Sequence, residues 1–140
     1  MALACQTDRV ADSETLIRET WDALSQGDFD VLAAALAPDA RWRAVEDGPW
    51  NCENRAAILD VMATQRAAGH GTGTIEEVLD VGERTVVAFR PDHHDPASWP
   101  LEDGIRYVVL TLRDGLITEM KGCATRAAAL AYAETPTPEG

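Results

Sequence analysis

The dominant spacing of apolar residues differs between the two halves of this chain. Up to about residue 67 they recur at helical spacing, and from Thr74 onward they alternate. Leu16, Ile17, Trp21 and Leu24 form one stripe on a first helix, capped by Asp12 or Ser13 and running to about Gln26. Gly27 suits a left-handed helix end. Asp28 can cap a second, shorter helix carrying Phe29, Leu32 and Leu36, which Pro38 ends. Ala40 to Val45 reads as a first strand and Glu46-Asp47-Gly48-Pro49 as a turn. Asn54 can cap a third helix over about Arg55 to Ala67, with Ile58, Leu59 and Met62 on one face. Gly69, Gly71 and Gly73 then break the pattern.

The second half predicts strands over Thr74 to Val81, Arg84 to Arg90, Ile105 to Leu112 and Leu116 to Cys123. Gly82-Glu83 and Arg113-Asp114-Gly115 supply turns, whereas Pro91 to Asp103, with three prolines, is too long for a tight hairpin. On the Arg84 to Arg90 strand, Val86, Ala88 and Arg90 share one face, with Thr85, Val87 and Phe89 on the other. Thr125 caps a short, alanine-rich helix over Arg126 to Ala133. The expected organisation is a flexible tail over 1–12, one domain over 13–133 and a flexible tail over 134–140. Helices followed by a run of antiparallel strands imply an α+β fold, with helices covering one face of a curved sheet. Apolar residues on both faces of the strands suggest a homodimer through the sheet.

The 140 residues suit one domain, and a hydrophobic content of 46% is enough to bury a core. No apolar run approaches the ~20 residues of a membrane span, and the N-terminus shows no secretory h-region, so a cytoplasmic protein with no membrane partner is expected. A net charge of -12 disfavours nucleic acid as a partner, because an acidic surface repels phosphates. Cys5, Cys52 and Cys123 are scattered thiols without the spacing of a disulfide framework or a structural zinc site, and they read as small buried hydrophobes.

Three stretches suggest kinship. Leu24-Ser25-Gln26-Gly27-Asp28-Phe29-Asp30 is followed by Leu36-Ala37-Pro38-Asp39-Ala40-Arg41-Trp42; Asn54-Arg55-Ala56-Ala57-Ile58 opens the third helix; Arg113-Asp114-Gly115-Leu116-Ile117 precedes the last strand. In order and spacing these resemble the SnoaL-like branch of the nuclear transport factor 2-like superfamily, over residues 14 to 133. The resemblance implies a cystatin-like cone: a strongly bent antiparallel sheet wrapped around N-terminal helices, with a short C-terminal helix and a pocket opening into the cone. It also implies varied functions, including polyketide cyclases, ketosteroid isomerase, limonene-epoxide-hydrolase-like enzymes, scytalone dehydratase and non-catalytic binding modules. Only the site can choose among these.

Arg90-Pro91-Asp92 resembles the Arg-x-Asp element of the epoxide hydrolase branch. Residues two apart on a strand share a face, and an arginine beside an aspartate keeps it ionised. Asp92 would then be the base and Arg90 its orienting partner, with His93 or His94 an auxiliary. The alternative is a surface pair and exposed loop histidines. No third ligand stands at metal-binding spacing from Asp92-His93-His94-Asp95, so no metal is expected. His70 can cap the third helix or lie at the pocket mouth. Gly122 stands where epoxide hydrolases and many cyclases carry a last-strand acid, and Thr125 where another aspartate is common. The steroid-isomerase positions fall near Thr20, Ala44 and Val108, which rejects a site of that type.

Four tryptophans stand out where all aromatics total 6%, because each offers a large apolar surface with one N–H donor. Trp21, Trp42, Trp50, Met62, Trp99 and Met120 are the candidate substrate-binding residues, with core packing the alternative for Trp21 and Trp42. The expected function is binding of a hydrophobic metabolite with cofactor-independent acid–base chemistry of cyclase, isomerase, dehydratase or epoxide hydrolase type. A non-catalytic, dimeric small-molecule-binding module is the alternative, and a partner-docking role a third.

Overall fold

The last hairpin shows how local chemistry sets the sheet. Asp114 and Gly115 both adopt positive φ, 54° and 80°, the geometry of a two-residue turn whose twist matches its flanking strands. It joins β4 (Arg106–Arg113) to β5 (Leu116–Cys123). The tight turn at Gly82-Glu83 likewise joins β2 (Gly73–Val81) to β3 (Arg84–Pro91). A computed structural model of the chain describes residues 2–43, 51–67, 73–91 and 104–135, with side chains from Glu14 onward.

β1 (Leu36–Arg43) completes a five-stranded sheet of order β1-β5-β4-β3-β2. The pairs from β2 to β5 are antiparallel, as the alternation predicts, but β1 runs parallel to β5. Two expectations are corrected here. The first strand begins at Leu36 and not at Ala40, so Pro38 lies inside it. Proline is tolerated there because β1 is an edge strand and the register shifts between Leu36 and Arg41. The first helix, α1 (Ala2–Ser25), starts well before the Asp12-Ser13 cap signal, since no glycine or proline in that stretch stops it.

The later helix starts follow their signals, but the second helix ends at Ala35, before Pro38, and Leu36 belongs to β1 and not to it. α2 (Asp30–Ala35) begins beside Asp28, whose Oδ1 accepts from the Asp30 N–H at 3.0 Å. α3 (Arg55–Ala67) starts where Asn54 Oδ1 accepts from the Ala57 N–H at 2.8 Å. α4 (Arg126–Ala133) is capped by Thr125, which accepts from the Ala128 N–H. Each of these side chains accepts from a donor that a helix start leaves without an internal partner, Asn54 and Thr125 as caps and Asp28 from one residue before the N-cap Phe29.

Alternation along β3 and β4 divides the core in two. Val87 and Leu110 face α1 and α3 in one cluster with Ile17, Leu32 and Ile58. Val86, Ala88, Tyr107 and Val109 face the other way, against Ala129 and Ala133 of α4. The apolar second face that suggested a dimer is thus covered, over its centre, by α4 of the same chain.

α4 is held by an unusual buried cation. Arg84, 2% exposed, donates from Nε to Thr111 Oγ1 at 3.1 Å and from Nη1 to the carbonyls of Tyr132 at 2.6 Å and Thr135 at 2.8 Å. Its guanidinium carbon lies 4.7 Å from the centre of the Tyr132 ring. The carbonyls at the C-terminal end of α4 carry partial negative charge, which is what the guanidinium meets there. Tyr132 in turn donates to Glu119. Burial first, and then that hydrogen bond, push its phenol up to about 12.

Candidate functional site

The helical stripes and one sheet face enclose a cavity of about 230 Å3. From α1, Leu16, Ile17, Thr20, Trp21 and Leu24 line it, a set spaced one and four residues apart on one helix face. From α3, Ile58, Val61, Met62, Gln65 and Arg66 repeat that spacing. The sheet contributes alternate residues from β3 (Val87 and Phe89) and β4 (Arg106, Val108 and Leu110), and Ile117 and Met120 from β5, three apart across the register shift of the β4–β5 pair. Trp42 of β1 lies beside Met120 in register and is bridged to Cys52 by two backbone hydrogen bonds of 3.0 and 2.9 Å.

The wall is held in place by specific contacts. Trp21 Nε1 donates to the Gly73 carbonyl at 3.1 Å, so the indole presents its ring while its polar group is satisfied. Gly73 is required where it stands: a Cβ there would come within 2.3 Å of the Arg90 carbonyl oxygen. The rings of Trp21 and Phe89 meet with centres 4.5 Å apart and tilted by 52°, and the Arg106 guanidinium carbon is 5.8 Å from the Phe89 ring centre. Thr20 turns its hydroxyl back to the Leu16 carbonyl at 2.6 Å, which lowers its polarity toward the cavity.

The chemistry on the described wall is sparse. Its ionisable groups are Arg66, Arg106 and Cys52. Burial pushes the Cys52 thiol up, and the Glu53 and Asp60 carboxylates push it further, so it stays protonated and unreactive near neutral pH. Cys123, on the α4 side, is also raised by burial. Gly122 pairs with Val108 in register, next to the Leu110–Met120 pair that lines the cavity. Cross-strand partners share a face, so an acid at position 122 would project into the cavity, and glycine leaves that spot apolar. Among the described residues, no group of three His, Cys, Asp or Glu side chains converges as a metal site.

Of the residues singled out from the sequence, the cavity gathers Trp21, Trp42, Met62 and Met120. Arg90 is exposed and pairs with Glu76 at 2.9 Å, away from the cavity-facing Val87 and Phe89. Asp92, His93, His94, Trp50, Trp99 and His70 lie outside the described residues. The cavity also gathers Gln65, Arg66 and Arg106, which the sequence did not single out. Their spacing was the available signal: Arg66 stands four residues after Met62, and Arg106 two before Val108.

A bent sheet closed over helices around an apolar cavity defines the cystatin-like fold, also named for a Xanthomonas campestris protein of TM-score 0.61 that is 15% identical, with 82% of this chain and 94% of that chain covered. The chain belongs to the SnoaL-like domain family, whose model matches residues 17–120. Its structure is similar to that of a Sinorhizobium meliloti protein titled a polyketide cyclase, with 22% identity, TM-score 0.63, and 77% of this chain and 93% of that chain covered. It is also similar to an epoxide hydrolase of the limonene-epoxide-hydrolase-like type from M. tuberculosis, with 17% identity, TM-score 0.60, and coverage of 84% and 85%. At these identities the likeness shows the fold alone. No curated protein matches the sequence. Among the described residues, no helix is long and apolar enough to cross a membrane.

Proposed function

We propose that this protein binds a hydrophobic small molecule inside the cone. The observation that carries this reading is the cavity of about 230 Å3 walled by Trp21, Trp42, Phe89, Met62 and Met120. An apolar cavity of about 150 Å3 accepts benzene, so this one suits a body of about one to two rings. Trp21 and Trp42 supply the assay. Titration with apolar ligands of that size is expected to change their fluorescence saturably, because a ligand would displace water or contact the rings directly. An unchanged signal across a panel of such ligands, with no heat of binding by calorimetry, rejects the reading.

A second reading adds cofactor-independent acid–base chemistry of the cyclase, isomerase, dehydratase or epoxide hydrolase type. Family membership and the fold shared with proteins of those names support it. Asp92 is the base in this reading, with His93 or His94 assisting. Asp92→Asn is then expected to remove turnover with the melting temperature unchanged; full turnover in that variant excludes Asp92 as the base. A homodimer through the sheet belongs to the same proposal, supported by half-buried Leu79, Val81 and Ile105 beside α4. A monomer mass by sedimentation at micromolar protein removes it.

A further inference from the structure

The cavity is apolar, yet the charges on its described wall are of one sign. Arg66 and Arg106 line it, no carboxylate or imidazole does among the described residues, and the buried Cys52 thiol stays neutral. This is the reverse of the chain as a whole, which carries 24 acidic and 12 basic residues. Arg66 is the more telling of the two cations. It sits in the last turn of α3 on the stripe of Ile58 and Met62, half-buried and part of the lining. Its guanidinium packs against the end of α1: Nη2 and Nε lie 3.5 and 3.7 Å from where a Cβ on Gly27 would stand. Gly27 is exposed and Arg66 itself only half-buried, so the guanidinium reaches solvent beside the wall that Arg66 helps to line.

Arg18, Arg41, Arg43, Arg90 and Arg126 each pair with a glutamate, whereas Arg66 has no ion pair among the described residues. A guanidinium that lines an apolar cavity and still reaches solvent is positioned to take an oxyanion whose body lies inside, through two parallel N–H donors. We infer that the ligand is an anionic amphiphile: an apolar body of about one to two rings bearing a single carboxylate-like head, with Arg66 as the anchor of that head. This rests on the ligand-binding reading above and names the class of molecule bound. The competing role for Arg66 is structural, since a cation in the last turn of a helix is favourable on its own.

Calorimetric titration of the full chain with 2-naphthoate and with 2-naphthamide separates these possibilities, because the two probes share a body and differ in charge. The naphthoate is expected to bind about tenfold more tightly, the worth of one charge-assisted contact. That advantage should shrink at about 0.5 M salt, where exposed charges are screened. Arg66→Gln should erase the advantage and leave the amide's affinity unchanged, and Arg66→Lys should recover most of it. Equal affinity of the two probes for the unaltered protein overturns the inference while leaving ligand binding intact. A preference that survives Arg66→Gln overturns it too. So does a parallel loss for both probes together with a lower melting temperature, which would mark a structural role. Binding of neither probe overturns both this inference and the reading it rests on.

Discussion

Val108→Phe is expected to lower affinity for an apolar ligand by about 100-fold or more, since each methylene of lost pocket volume costs about tenfold or more. Val108 projects into the cavity from the middle of β4, between Arg106 and Leu110 on the same face. Its neighbour in register on β5 is Gly122, and on β3 it is Val87. Gly122 carries no side chain to compete with a larger ring at 108, which lines the cavity. Overpacking a full core costs about 1–3 kcal/mol, but here the added atoms fill empty space, so the melting temperature should hold or rise. Ligand titration and a thermal melt on the same sample read the two effects. Undiminished affinity in a folded variant would place the ligand elsewhere.

Arg84→Met is expected to have the largest effect on stability. Methionine keeps an apolar stem of similar length and removes the guanidinium, so the Thr111 hydroxyl and the carbonyls of Tyr132 and Thr135 lose their donor. Hydrogen bonds from a charged donor are worth about 1.5–3 kcal/mol each, and they do not add fully. A net loss of about 3 kcal/mol follows, a large share of the ~5–15 kcal/mol that holds a domain of this size together. Urea unfolding measures the total. Amide exchange locates it: protection should fall first in Ala129 to Ala133, where α4 leaves the sheet, while β2 to β5 stay protected. Uniform loss across the sheet would mean that Arg84 supports the whole core and not the docking of α4.

The second half of the fold was legible because two signals agreed there. Val86, Val87, Ala88 and Phe89 alternate between faces, and Asp114-Gly115 supplies a turn that only one hairpin geometry uses. In the first half the signals conflicted. Pro38 reads as a break, yet an edge strand next to β5 tolerates its missing N–H, so β1 began earlier than its apolar pattern implied. That β1 runs parallel to β5 depends on contacts between distant parts of the chain, which no local pattern encodes.

The site divides along the same line. Trp21, Trp42, Met62 and Met120 were legible because large apolar residues at regular spacing point inward. Arg66 and Arg106 were not, because an arginine in a stripe reads as a solvent-seeking residue whose stem merely covers it. Arg90 shows the reverse. Its kinship to a known element drew attention to it, and the folded chain pairs it with Glu76 on the exposed side.

The two-sided packing of β3 and β4 also bears on how such a protein can diverge. Odd-numbered Val87 and Phe89 and even-numbered Arg106, Val108 and Leu110 face the void, while their immediate neighbours pack solidly against α4. Adjacent codons therefore answer to different pressures. A change at Val86 or Val109, each 1% exposed or less, is felt as lost folding, whereas one at the half-buried Val108 alters the shape of the chamber at less cost to the scaffold. Such an arrangement lets the chamber be reshaped from one face of the sheet while the other face keeps the fold.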